Sequence, residues 1–232
     1  MNPSSAGRGA VWAYGARGAM RNLALALAAV LALAVPAAAE VRILAFGDSL
    51  TAGAGLPEAQ GFVPQLQAWL RANGASDVTV INGGVSGDTT AGGLARIGWA
   101  LGDDVDGVIV ELGANDMLRG LDMGQMRRNL DGILDAIDAQ GLPALLAGLP
   151  APPNYPADYR KAFKAAFREL AEQHDALYAS SFFAGMAEGG MLGVMRMMQP
   201  DGIHPNAEGV AANVEAIGPA VLKLVARARD RQ

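Results

Sequence analysis

Three residues, Ser49, Asp201 and His204, are of types that together can break an ester or amide bond. A serine hydroxyl is a poor nucleophile near neutral pH, so it needs a base within hydrogen-bond reach, and an imidazole suits that task. His204 follows Asp201 by three residues in one short loop, so the carboxylate can accept the second ring N–H and fix the tautomer. These residues predict a triad of nucleophile, base and orienting acid. In the alternative interpretation, Asp201 is only a turn residue and His204 only leads into the next helix.

Ser49 follows a short apolar run, residues 41–46, which has the β-branched and apolar composition of a buried parallel strand. In open α/β sheets the chemistry takes place outside the carboxyl ends of the strands, so a serine just beyond such an end is well placed to react. The simpler alternative is that Asp48 and Ser49 only cap the helix that follows.

Short apolar runs alternate with longer amphipathic stretches along the rest of the chain. The predicted strands are residues 41–46, 78–82, 107–111, 144–148 and 176–179, and the predicted helices are residues 61–73, 89–101, 123–140, 155–174 and 206–229. In the third of these helices, apolar residues recur at spacings of three and four. This alternation predicts the α/β class, with a three-layer α/β/α sandwich around a central five-stranded parallel sheet.

Polar, glycine-rich loops follow the second and third predicted strands, at residues 82–90 and 111–117. The carboxyl ends of parallel strands share one edge of the sheet. Both loops are therefore expected to open beside Ser49.

Residues 1–39 have the features of a secretory signal. They contain three arginines but no acid, then an apolar run of 13 residues, then small residues before Glu40. We predict cleavage between Ala39 and Glu40 and an exported protein, periplasmic or secreted. The apolar run is shorter than the roughly 20 residues that span a bilayer, so an uncleaved anchor is the weaker interpretation. Met20 would also make an ordinary signal start.

The composition of the predicted mature chain, residues 40–232, excludes several functions. Its length suits a single domain with a sizeable core. It carries 15 Lys and Arg against 23 Asp and Glu, a net charge of −8 that disfavours nucleic acid as a partner. The absence of cysteine excludes disulfides and thiol catalysis, and the two histidines are too few for a site built from several imidazole ligands.

Four short motifs occur in order along the chain: Gly47-Asp-Ser-Leu50, Gly83-Gly-Val-Ser-Gly-Asp88, Gly113-Ala-Asn-Asp116 and Asp201-Gly-Ile-His-Pro205. In these motifs the chain resembles the SGNH (or GDSL) hydrolases across nearly its whole mature length. It is most similar to the secreted bacterial thioesterase I, lysophospholipase and arylesterase group, which shares the sequence Gly53-Ala-Gly-Leu-Pro57. Residues 151–153 depart from that group as an insertion before Asn154, in a loop that shapes acyl-chain access there.

The resemblance implies a flavodoxin-like SGNH fold and a serine esterase that needs no metal or organic cofactor. It also implies an oxyanion hole formed by the backbone N–H groups of Ser49 and Gly87 and the side-chain amide of Asn115. Such donors stabilise the negative charge of a tetrahedral intermediate. Glycine at position 87 lets the backbone approach the substrate closely. Turn roles for Gly87 and Asn115 remain the alternative.

The substrate is left open by the sequence. Acyl esters, lysophospholipids and acyl thioesters all fit the resemblance, and a carbohydrate O-deacetylase or a non-catalytic ligand-binding protein on the same fold is the alternative. Methionines crowd the segment before Asp201, where they could contact an acyl chain or fill gaps in the core. His174 belongs to no loop at the active edge, so we expect it to be structural or solvent-facing.

Overall fold

The computed structural model describes residues 40–231, so the predicted signal segment and its cleavage site lie outside the described range. In that range the strands are β1 (Val41–Gly47), β2 (Val78–Gly84), β3 (Gly107–Glu111), β4 (Ala144–Ala147) and β5 (Leu177–Ala179). They form one sheet of five parallel strands in the order β2-β1-β3-β4-β5. The predicted parallel sheet is confirmed.

The register of the three neighbouring strands brings their carboxyl ends to one level. Gly47, the last residue of β1, pairs with Gly84 at the end of β2 and with Glu111 at the end of β3. The loops that follow these strands therefore start side by side, and the chain order of the sheet reverses around β1. Such a point is where open α/β sheets form their binding crevice.

Eight α-helices connect or follow the strands in the described range: α1 (Ser49–Ala52), α2 (Phe62–Ala72), α3 (Thr90–Ala100), α4 (Ala114–Leu118), α5 (Met123–Ala139), α6 (Ala157–Gln173), α7 (Gly190–Arg196) and α8 (Ala207–Arg229). Short 3-10 turns cover Glu58–Gln60 and Gly185–Gly189. Side chains of Thr89, Asp122 and Asn206 accept a first-turn backbone N–H of α3, α5 and α8. These caps satisfy donors that have no partner within the helix, so they fix where each helix begins.

Helices cover both faces of the sheet, as the side chains of β1 demonstrate. Ile43 lies with Leu224 of α8 against Gly107 on one face, whereas Phe46 lies with Ile133 of α5 against Gly93 of α3 on the other. Successive strand residues point to opposite faces, so these contacts come from two separate helical layers. Helix α2 packs beside α8, and α6 packs beside α5. The three-layer α/β/α prediction is confirmed.

Helix α8 is the longest of the described helices and is long and apolar enough to cross a membrane by composition alone. Half of its most apolar stretch is buried inside the protein. Its Gly218 lies against the ring of Trp69 on α2, and the indole N–H of Trp69 donates to Glu215 at 2.7 Å. In this structure α8 is thus a packed helix of the outer layer.

His174 ends α6 and connects it to α5. Its side chain is only 4% exposed and lies between Asp138, 2.6 Å from Nδ1, and Asp131, 2.8 Å from Nε2. Burial lowers the pKa of His174, but the hydrogen bonds to the two carboxylates outweigh it and raise the pKa above its ordinary value. The expected structural role of His174 agrees with these contacts, and the side chain does not face solvent.

The predicted elements of regular length differ from the observed ones by one or two residues at their ends. The sequence did not predict α1, α4 and α7, which have only four to seven residues. A helix of one or two turns has too few positions to show a repeating apolar pattern. Two of these missed helices, α1 and α4, carry Ser49 and Asn115.

Candidate active site

Ser49 is the first residue of α1, directly beyond the end of β1. Asp48 caps this short helix, because its carboxylate accepts the backbone N–H of Leu50 at 3.0 Å. Asp48 is therefore a helix cap, as the alternative interpretation expected. The hydroxyl of the next residue, Ser49, faces the loop of residues 199–206. The Ser49 Oγ lies 2.8 Å from Nε2 of His204.

The loop of residues 199–206 brings His204 and Asp201 together at this serine. His204 Nδ1 lies 2.7 Å from Asp201 Oδ2. Two consecutive contacts at hydrogen-bond distance therefore connect the serine oxygen to the ring and the ring to the carboxylate. The other carboxylate oxygen, Oδ1, accepts the backbone N–H groups of Ile203 and His204 at 2.9 and 3.0 Å. Three hydrogen bonds thus fix the Asp201 side chain.

Gln199 attaches this loop to the segment that carries the serine. Its side-chain amide donates to the carbonyl oxygens of Ala54 and Pro205, both at 2.9 Å. Its backbone N–H donates to the carbonyl of His204 at 2.7 Å. The loop therefore has fixed contacts both within itself and with the residues after α1.

The hydrogen bonds from His204 and Ile203 also set the charge of Asp201. The side-chain bond to His204, then the backbone bonds of His204 and Ile203, lower the pKa of Asp201 to about 2. This carboxylate is ionised throughout the neutral range, so it can hold the ring N–H at Nδ1 as an acceptor. Nε2 is then left free to accept a proton.

Asn115 and Gly87 lie at the same corner of the sheet. The Asn115 side chain donates from Nδ2 to Asp48 Oδ2 at 2.9 Å, next to Ser49 in the chain. Gly87 has a positive φ of 79°, and its carbonyl accepts from the Arg119 guanidinium at 2.6 Å, just after α4. Within residues 40–231, the backbone N–H groups of Ser49 and Gly87 donate to no other residue. All five sequence-predicted site residues thus lie together beyond the carboxyl ends of β1, β2 and β3.

A buried pair of carboxyl groups, Asp48 and Glu111, lies beneath the serine. Burial and the charge of Asp48 raise the pKa of Glu111 well above its usual range, and burial also raises the pKa of Asp48. Glu111 Oε2 accepts the Thr51 hydroxyl at 2.9 Å, while its Oε1 has no hydrogen-bond partner in the described part of the chain. A Cβ at Gly47 would overlap Thr51 and Glu111, so only glycine fits at that position. No role for Glu111 was predicted from the sequence, because its partners lie about 60 residues away along the chain.

Replacing Glu111 with glutamine is expected to raise the free energy of unfolding relative to the wild type, by an amount that grows as the pH rises. The free carboxyl group of the unfolded chain ionises near pH 4.3, whereas burial holds Glu111 neutral to higher pH. Between these two pKa values the wild type loses about 1.4 kcal/mol of unfolding free energy per pH unit, and Glu111→Gln does not. Urea unfolding of both proteins at pH 5, 7 and 9 measures the difference. A constant difference across this range would contradict a neutral Glu111.

A second buried network joins α4 to the start of α3. The Asp116 carboxylate accepts the backbone N–H of Thr90 at 2.9 Å and its hydroxyl at 2.6 Å. Asn129 of α5 donates to that same hydroxyl at 3.0 Å. The helix that carries Asn115 is thereby held against the helix that follows Gly87. Asp116 belongs to the motif Gly113-Ala-Asn-Asp116, but its partners Thr90 and Asn129 could not be inferred from the sequence.

Apolar side chains are exposed around the crevice. Val85 in the loop after β2, Leu118 at the end of α4 and Ile203 in the loop of residues 199–206 are each about half exposed. The methionines before Asp201 differ in burial. Met186 is fully buried in the core, whereas Met191 and Met195 are each 65% exposed on α7.

Among the described residues, the donor groups close enough to share a metal ion belong to Asp135, Asp138 and His174, with ligand atoms within 4.8 Å of one another. These residues lie on α5 and at the end of α6, and none of them contacts Ser49 or His204. His174 is already hydrogen-bonded to Asp138.

A family model and the sequences of known proteins assign this chain to the same family. Residues 45–212 match the model of the GDSL-like Lipase/Acylhydrolase family. The chain is 37% identical to Esterase TesA of Pseudomonas aeruginosa, over 89% of this chain and all of that protein. It is 35% identical to Thioesterase 1/protease 1/lysophospholipase L1 of Escherichia coli, over 74% of this chain and 79% of that protein. The chain belongs to the GDSL-like lipase/acylhydrolase family.

A solved structure extends this similarity to three dimensions. The psychrotrophic esterase EstA from Pseudoalteromonas, inhibited by monoethylphosphonate, superimposes with a TM-score of 0.71 at 31% identity, over 80% of this chain and 98% of that one. The GDSL hydrolase described here is accordingly an enzyme that hydrolyses acyl esters, with the SGNH hydrolase fold.

Proposed function

We propose that this GDSL hydrolase cleaves carboxylic esters through an acyl-enzyme intermediate on Ser49. The observation that carries the proposal is the line of hydrogen-bond distances from Ser49 Oγ to His204 Nε2, 2.8 Å, and from His204 Nδ1 to Asp201, 2.7 Å. A nucleophile in contact with a base, which is itself oriented by an acid, is the arrangement that activates a hydroxyl.

Acylation begins when Ser49 Oγ attacks the carbonyl carbon of the ester and its proton moves to His204 Nε2. Asp201 holds the ring and stabilises the imidazolium that forms. The tetrahedral intermediate then collapses, the C–O bond to the alcohol breaks, and the alcohol leaves with the proton from His204. A water molecule repeats these steps on the acyl group, which releases the carboxylic acid and restores the serine.

The oxyanion of each tetrahedral intermediate would be bound by the N–H groups of Ser49 and Gly87 and by the Asn115 amide. Two observations support this assignment. The two backbone donors have no other acceptor in the described part of the chain, and Asp48 takes only one of the two amide hydrogens of Asn115. The remaining hydrogen can therefore point to substrate.

Replacing Asn115 with alanine is expected to lower kcat about 100- to 1000-fold, with a smaller change in KM, because an oxyanion-hole donor acts mainly in the transition state. Steady-state kinetics with a p-nitrophenyl ester measures both constants. Asn73→Ala, at the exposed end of α2, serves as the matched control and should leave both unchanged. An effect of Asn115→Ala on KM alone would remove Asn115 from the proposed oxyanion hole.

For the substrate, we propose carboxylic esters with an apolar acyl chain, including lysophospholipids. The exposed Val85, Leu118 and Ile203 around the crevice support an apolar chain, because each could bury its surface against methylene groups. The names of the two relatives, an esterase and a thioesterase/lysophospholipase, agree with this class. We also propose that residues 1–39 direct export of the protein to the periplasm or the medium. Coenzyme A thioesters would be scarce there, so esters would be the usual substrates.

A substrate series with purified protein tests this proposal. We expect p-nitrophenyl esters and lysophosphatidylcholine to be hydrolysed, with kcat/KM rising from acetate to medium-chain esters, and with activity unchanged by a metal chelator. A phosphonate probe should modify the peptide that contains Ser49, as seen by mass spectrometry. Faster turnover of acetylated sugars than of any longer ester would favour a carbohydrate O-deacetylase. Binding without turnover would favour a non-catalytic protein.

A further inference from the structure

Arg96, on α3, makes three hydrogen bonds to the loops that form the crevice. Its Nη2 donates to the carbonyl of Gly47 at 2.9 Å, its Nη1 to the carbonyl of Gly83 at 2.9 Å, and its Nε to Asp88 at 2.7 Å. Its side chain is 24% exposed. No role for Arg96 was predicted from the sequence.

The three acceptors belong to the segments that carry two of the proposed oxyanion donors. Gly47 precedes Ser49 by two residues at the end of β1, Gly83 lies at the corresponding end of β2, and Asp88 directly follows Gly87. A backbone hydrogen bond from Val85 to Gly47, 3.0 Å, and the pairing of β1 with β2 also join these segments. Arg96 therefore spans the gap between the nucleophile and the loop that presents the Gly87 N–H.

The guanidinium is held in one orientation. It lies 3.9 Å over the centre of the Phe46 ring, a favourable position for a cation on an aromatic face. The Asp88 carboxylate, which accepts from Nε, lies so close to α3 that a Cβ at Gly92 would overlap it. Asp88 also balances the charge, so Arg96 is placed to hold the backbone and not to bind an anionic substrate. The guanidinium donates to these three acceptors from three different nitrogens of one plane, whereas the three donors of a lysine all lie on a single nitrogen and cannot match that spread.

We propose that Arg96 is a positioning residue for ester hydrolysis, which fixes the Gly87 N–H relative to Ser49 so that both donors reach the same oxyanion. The inference rests on the proposed function of Ser49 and Gly87. Small misplacements of such donors are costly, because the hole must fit the transition state before the substrate arrives. Arg96 itself contacts neither the serine hydroxyl nor His204.

Three variants test the proposal in steady-state kinetics with a p-nitrophenyl ester. Arg96→Met keeps an apolar stem on Phe46 but removes every donor, and Arg96→Lys keeps the charge without the fork. Arg229→Met is the control, because Arg229 makes a similar two-bond contact with Asp77 far from the crevice. We expect kcat to fall about 10- to 100-fold in Arg96→Met and less in Arg96→Lys, with KM within about 3-fold, and no change in the control.

A boronic acid inhibitor gives a second measurement, because its tetrahedral adduct on Ser49 places a negative oxygen in the hole. Its affinity should weaken by about the same factor as kcat/KM in each Arg96 variant. If kcat and inhibitor affinity remain at wild-type values in Arg96→Met, the proposal is wrong. If that variant does not fold, Arg96→Lys decides, and a folded lysine variant with unchanged kcat also overturns it. Activity in Ser49→Ala would instead refute the proposed function.

Discussion

Replacing Ser49 with alanine is expected to lower kcat about a million-fold, because the attacking oxygen is removed and no other hydroxyl contacts His204 within the described residues. Activity above the uncatalysed rate would then come only from the oxyanion donors and from substrate binding. The measurement is hydrolysis of a medium-chain p-nitrophenyl ester at enzyme concentrations high enough to detect the residual rate. Ser49→Ala should also lose modification by a phosphonate probe.

The matched control for this change is Ser180→Ala. Ser180 is exposed at the end of β5, away from the loop of His204, so kcat and probe labelling should remain at the wild-type level. Thermal melting of both variants establishes that they fold. An active Ser49→Ala protein would mean that the hydroxyl in contact with His204 is not the nucleophile, and the acyl-enzyme mechanism would be abandoned.

Replacing Asp201 with asparagine is expected to lower kcat about 1000- to 10,000-fold through the wrong histidine tautomer. Asp201 Oδ1 accepts two backbone N–H groups, so the asparagine oxygen must occupy that position. The side-chain NH2 then faces His204 Nδ1, 2.7 Å from the present carboxylate oxygen, and forces Nδ1 to accept. The proton moves to Nε2, which can no longer take the proton from Ser49.

Kinetics of Asp201→Asn and Asp158→Asn test this reasoning. Asp158 is exposed in the first turn of α6, so its amide variant should match the wild type. Asp201→Ala adds a sharper comparison, since it removes the acceptor without imposing a donor and should retain more activity than asparagine. Should Asp201→Asn keep kcat within about tenfold of the wild type, the carboxylate would not set the tautomer.

The parallel sheet could be predicted because its determinants are local. Buried strands such as β3 are nearly continuous apolar runs, and α5 repeats apolar residues at helical spacing. Each element can therefore be predicted from a short stretch of sequence. The place of Ser49 and of the polar loops at one edge of the sheet then follows from general rules for α/β connections, whereas the order of the strands was not predicted. The short helices α1 and α4 were missed because their conformation depends on capping and tertiary contacts.

For the site, the sequence predicted which residues would lie together, but it did not predict the side chains that hold those residues in position. The expected neighbours Ser49, Asp201 and His204 do lie together, and their catalytic roles stay predictions until the variants are measured. Arg96, Glu111 and the contact of Asp116 with Thr90 could not be recognised. Their meaning depends on partners that lie from 8 to more than 60 residues away, and a charged residue on a helix is usually a solvated one.

The contact between Ser49 and His204 joins positions 155 residues apart in the chain. During synthesis all five strands, the last of which ends at Ala179, leave the ribosome before the loop that carries the base. A nascent or C-terminally truncated chain that ends before this loop therefore carries Ser49 without its base. The contact between the two side chains can form only after the C-terminal segment has been added to the chain.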